Sequence, residues 1–204
     1  MEFNQVPSQE VISRTIDGLT ARGVTVAHVT SKAAALEALQ QALPKGTELM
    51  TGSSITLEQI GFIDQLKSKQ HPWVNLKDKI VEEADPAKQA ELRRQSVLTP
   101  YFIGSVHAIT ESGQTVTASA SGSQLPSYAF TSPNVIWVAG VQKIVPNLEA
   151  GFQRIRGYVF PLEDQHMKDV GYGGSSINLM LIFERITMPI HKIHLILVDE
   201  VLGF

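Results

Sequence analysis

The feature that most constrains this chain is the exchange of helix-period and strand-like segments at its start. Ser8 is placed to cap a helix with Glu10 in its first turn, and Val11, Ile12, Ile16 and Leu19 recur at helical spacing until Gly23. Val24 to Val29 reads as a strand. Ser31 caps a second helix carrying Ala34, Ala35, Leu36, Leu39 and Leu43, which Pro44 and Gly46 end. Thr47 to Thr51 reads as a short buried strand, and Ile55 to Lys67 as a third helix through Ile60, Ile63 and Leu66. An α-β-α-β-loop-α order is the rhythm of an α/β sheet.

The rest of the chain continues the pattern less regularly. Lys67 to Asp85 is polar, with one extended piece at Trp73 to Leu76, and Pro86 opens a helix to Val97 whose charged face reads as solvated surface. Tyr101 to Val106 and Gln114 to Ser119 read as strands joined by a loop, and Asn134 to Ala139 as a fully buried strand. A helix starts at Pro146 and runs through Leu148, Phe152 and Ile155. Ile177 to Phe183 and Ile193 to Val198 are the last strands. With no repeat and no linker, 1–204 is expected to be a single domain.

Composition removes several classes of function. A net charge of −3 offers no basic surface for nucleic acid. Cysteine is absent, so the chain offers no disulfide, no thiolate chemistry and no ligands for an iron–sulfur cluster. No segment resembles a signal peptide or a membrane span, and a cytoplasmic protein is expected.

Candidate chemistry gathers in two short loops rich in glycine and hydroxyls. Gly52-Ser53-Ser54 leaves a strand and opens a helix, where free backbone N–H groups and the helix dipole suit a phosphate or carboxylate. A serine there also serves as a plain helix cap. Thr110-Glu111-Ser112-Gly113 offers a carboxylate: Glu111 is either a base or nucleophile or simply the tip of a hairpin. A third small-residue loop contains Gly122 and Ser123. Lys143, beyond an apolar strand, either pairs with an anionic ligand or lies solvated at the surface. His107 reads as a hydrogen-bonded strand histidine. His191 and His194 form an H-x-x-H whose side chains diverge along a strand, and no metal is expected there.

The order of these motifs resembles the lactate-utilisation (LUD) domain family, in particular its short stand-alone branch. The residues that carry the resemblance are Gly52 to Gly61, Ala108 to Val116, Val141 to Val145, Arg154 to Arg156 and Val198 to Phe204. The resemblance implies a three-layer α/β sandwich around a mostly parallel sheet, like the fold of sugar-phosphate isomerases and coenzyme A transferases. It implies a ligand cleft at strand C-termini, and in larger relatives a role in lactate oxidation with iron–sulfur clusters on other segments. This chain departs from the family pattern. The stretch Asp169 to Ser176 lacks the relatives' cysteines, Ala120 to Gln124 lacks their Asp and Arg, and His107 stands in place of an Asn.

Three functions remain open on sequence. One is a site for a small anionic metabolite, an organic acid, phosphate ester or acyl thioester, lined by Gly52, Ser53, Ser54, Thr110, Ser112, Gly113, Gly122, Ser123 and Lys143. Another is a non-catalytic subunit that binds a protein partner or a second copy of itself through Ile193 to Phe204. The third is an isomerase or transferase acting on a sugar phosphate or thioester with Glu111 as its catalytic carboxylate.

Overall fold

The computed structural model describes residues 2–187 and 189–204. Side-chain oxygens set most of the helix starts. Ser8, Ser31, Ser54, Asn75, Asp85 and Asn147 each accept a backbone N–H from the first turn that follows. The helices are α1 (Gln9–Ala21), α2 (Lys32–Ala42), α3 (Ile55–Gln59), α4 (Phe62–Lys67), α5 (Leu76–Glu82), α6 (Pro86–Gln95), α7 (Leu148–Arg154) and α8 (Phe160–Asp169). A π-helical turn at Ile155–Val159 joins α7 to α8. The strands are β1 (Thr25–Val29), β2 (Glu48–Thr51), β3 (Val74–Asn75), β4 (Tyr101–Gly104), β5 (Ala108–Thr110), β6 (Thr115–Ser119), β7 (Asn134–Gly140), β8 (Ile144–Val145), β9 (Leu179–Phe183) and β10 (Lys192–Val198).

Six strands form a wholly parallel sheet in the order β1-β10-β7-β4-β2-β3. One face packs on α2, α3 and α4 through Leu39, Leu57, Phe62, Ile136 and Ile196. The other face, through Val135, Trp137, Leu195 and Leu197, meets α1 and a second sheet. That smaller sheet, β8-β5-β6-β9, is mixed, and its far face packs on α7. Trp73 and Trp137 are both core residues. Among the described residues, no helix is long and apolar enough to cross a membrane.

The α/β sheet expected from the alternating pattern is present, in the layered, mostly parallel form that the family resemblance implies. Several details differ from the sequence reading. The helix expected over Ile55 to Lys67 breaks at Gly61, whose φ of 83° is left-handed. The strand expected from Tyr101 to Val106 stops at Gly104. The chain then crosses out of the large sheet, and it is β5, not β4, that forms the hairpin with β6. Helices α5 and α8 were not anticipated; α8 buries no residue fully, so it carries little apolar period to read.

Candidate functional site

Because the large sheet is parallel, its strands all end on one edge, and the loops leaving that edge meet there. The loops after β2, β4 and β7 and the tail after β10 surround a cleft of about 250 Å³. The loop Ser119 to Gln124 and one stripe of the α7–α8 helical run complete its wall. Ile155, Val159, Glu163 and Met167 lie on that stripe at four-residue intervals.

Lys143 is at the floor of the cleft and only 2% exposed. Its Nζ donates to Ser105 Oγ at 3.0 Å and to Thr56 Oγ1 at 3.2 Å. Ser105 spends its own proton on the Val138 carbonyl at 2.7 Å, so its oxygen accepts from the lysine. Thr56 Oγ1 has the Leu202 carbonyl within 3.4 Å. Among the described residues, no carboxylate pairs with Lys143. Burial pushes its ammonium well below the ordinary lysine range, and the charge of Arg154 pushes the same way.

Arg154, fully buried at the end of α7, is a second cation with no carboxylate partner among the described residues. It donates to the His107 carbonyl at 2.6 Å and to the Phe3 carbonyl at 3.4 Å, and it stacks over Tyr158. Its Nε has no partner. Burial lowers its pKa to about 10. His107 lines the cleft, and its Nδ1 accepts the Ala118 N–H at 3.0 Å. Loss of solvent, followed by the charges of Lys143 and Arg154, lowers its pKa to about 3, so its ring is neutral at working pH. The cleft therefore has an electropositive floor. Glu163 is the carboxyl on its wall, and burial raises its pKa.

Of the residues singled out on sequence, Gly52, Ser53, Ser54, Ser123 and Lys143 line this cleft. Gly122 shapes the same loop as Ser123, and its N–H donates to Ser119 Oγ at 2.9 Å. Ser54 also caps α3, accepting from Leu57 N at 3.3 Å. Since α3 has only five residues, its dipole adds little. The positive character comes from Lys143 and Arg154, not from a helix end.

Thr110, Glu111, Ser112 and Gly113 do not line the cleft, and the expectation that both loops build one site is corrected. The β5–β6 hairpin tip lies on α1 instead. Glu111 is ion-paired to Arg14, whose Nε lies 3.0 Å from the carboxylate. Arg22 Nε donates to the Ser112 carbonyl at 2.7 Å. Thr110 Oγ1 accepts from Gln114 N at 2.9 Å within the turn. A Cβ on Gly113 would overlap the backbone of Gly18 and Leu19. The alternative reading of Glu111, as a hairpin tip, describes its place.

Thr56, Ser105, Arg154 and Glu163 escaped the sequence reading as site residues. Thr56 lies in the first turn of α3, two residues past Gly52-Ser53-Ser54, Ser105 follows the strand-end Gly104, and Arg154 was visible only as part of a family motif. Glu163 belongs to no motif that the sequence singled out. Ser175, Ser176 and Ile177, from the glycine-rich stretch before β9, also face the cleft. His191 lies between the Ser132 and Tyr128 carbonyls at 2.9 and 3.0 Å, away from this set. At the C-terminal end, Leu202 is core and Phe204 lines the cleft.

The LUD domain family model matches residues 12–171. A DUF162 family protein from Deinococcus radiodurans has a crystal structure similar to this chain, with a TM-score of 0.58 at 12% identity, covering 95% of this chain and 100% of that one. The structure of eIF2B beta from Chaetomium thermophilum aligns with a TM-score of 0.40 at 12% identity, over 68% of this chain and 47% of that one. Among curated proteins, none matches the sequence.

Proposed function

This chain belongs to the LUD domain family, and we propose that its cleft binds a small organic anion. The observation that carries the reading is Lys143, a buried amine that lines the cleft with hydroxyl partners and, among the described residues, no carboxylate. Burial without a counter-ion holds this amine back from its charged form, and an incoming carboxylate or phosphate supplies the charge that offsets this cost. Arg154 adds to the same potential, and the Gly52 to Ser54 and Ser119 to Ser123 loops supply polar groups around it. A volume of about 250 Å³ suits an organic acid, a single phosphate ester or the acyl end of a thioester. The family's link to lactate utilisation makes organic acids the first class to test, in a cytoplasmic setting.

A thermal-shift panel of lactate, pyruvate, sugar phosphates and coenzyme A esters tests this reading. A ligand at about one hundred times its Kd adds roughly 2.7 kcal/mol of stability. A hit that disappears in Lys143→Met supports the reading, and a panel with no hit for the wild type overturns it.

A second reading, an isomerase or transferase, draws support from Glu163. Its carboxyl lines the cleft, and burial raises its pKa above the ordinary carboxylate value, the direction a general acid–base group needs. Turnover lost in Glu163→Gln with ligand binding retained is the expected sign of it.

A further inference from the structure

We infer that Lys143 is a nucleophilic amine that forms an imine with the carbonyl of a small 2-oxo acid held in the cleft. The inference rests on the anion site proposed above and adds a covalent step to it. Three observations carry it. The two polar partners of Nζ, Ser105 and Thr56, are hydroxyls that accept from it, and they use two of its hydrogens. Its remaining valence has no partner among the described residues, in a side chain 2% exposed that lines a cleft open to small molecules. Beyond it, Arg154 contributes a second buried positive charge, which disfavours a charged lysine and favours a ligand carboxylate. A lysine that merely neutralised a carboxylate of this protein would show that carboxylate; among the described residues none pairs with it.

The neutral amine is the reactive form, and burial and Arg154 both favour it. Its lone pair attacks the carbonyl carbon, and the carbonyl π pair moves onto oxygen. That oxygen leaves as water, taking one proton from Nζ and one from solvent. The resulting iminium keeps one N–H for Ser105 or Thr56, and no oxidant or reductant takes part. His107 is neutral there, and Glu163 lies on the cleft wall, where burial disfavours its charged form, so the 2-oxo acid carboxylate meets no opposing anion at the floor.

The test is borohydride trapping with pyruvate, glyoxylate, 2-oxobutyrate and 2-oxoglutarate, each read by intact mass and peptide mapping. The expected result is one reduced adduct per chain on the peptide containing Lys143 with at least one of the four acids. Lactate, which lacks the carbonyl, gives none, and the adduct is absent from folded Lys143→Arg. Absence of a Lys143 adduct with all four acids, or adducts spread over surface lysines, overturns the inference. The wild-type map decides this even if the variant fails to fold. Thermal shifts on the same samples without borohydride separate the two levels. A shift with no adduct rejects the imine and keeps the anion site, whereas no shift and no adduct reject both.

Discussion

Residues 52–54 and residues 111–113 each follow a strand and each combine glycine with serine, yet the molecule uses them in opposite ways. The first loop lines a cleft floored by Lys143, with Arg154 buried nearby. The second lies flat on α1, held by Arg14 and Arg22. The glycines show the difference most plainly. Gly113 has a φ of 87° and touches the α1 backbone, so no side chain fits. A Cβ on Gly52 would meet nothing closer than 4.0 Å. At Gly113 the required glycine marks a backbone contact, whereas the loop with spare room at Gly52 is the one that faces the ligand cleft.

Substitutions can break this contrast, the largest effect coming first. Gly113→Ala should destabilise the fold by about 3 kcal/mol, from left-handed strain and overlap with α1. Urea denaturation measures this, and ligand affinity of the folded fraction should stay unchanged. Lys143→Met should do the reverse: it removes a buried amine without a counter-ion, gaining about 2 kcal/mol at pH 7.5 while losing the ligand. The gain depends on pH. The folded pKa of Lys143 lies below its ordinary 10.5, so the unfolded chain binds the extra proton and wild-type stability rises with pH towards that value. The advantage of the variant should therefore shrink between pH 7.5 and 9.5. His107, at about 3, is neutral in the folded protein throughout that window, and Arg154 begins to titrate only near its upper end, at about 10.

Smaller effects sharpen the comparison. Ser54→Ala removes the α3 cap and should cost about 1 kcal/mol, read from the same denaturation curves. Gly52→Ala should leave the melting temperature nearly unchanged, since the space is open. Glu111→Gln breaks only a partly exposed pair with Arg14, whose side chain is half exposed. It should leave melting within about 2 °C of wild type and ligand binding intact.

The parts of the molecule that were legible in the sequence are those written locally. Ser8, Ser31, Ser54 and Asp85 sit next to the helices they cap, and the buried strand at Asn134 shows its run of apolar residues directly. The second sheet was not legible, because β6 pairs with β9 across some sixty residues and nothing near either strand records the partner. The candidate site was half legible for the same reason. Gly52, Ser53 and Ser54 announce themselves, and Lys143 follows an obvious strand. Its burial does not, because it depends on Thr56, Ser105 and Leu202 arriving from three other strand ends. Glu163 reaches the cleft only through the π-helical turn that carries α7 on into α8.

Titration calorimetry with pyruvate and with inorganic phosphate, on wild type, Lys143→Met and Glu111→Gln, tests the central claim most directly. The account predicts saturable binding of at least one probe to wild type and Glu111→Gln, and none to Lys143→Met. Equal binding to Lys143→Met, or binding lost only in Glu111→Gln, would place the anion at the hairpin and contradict it.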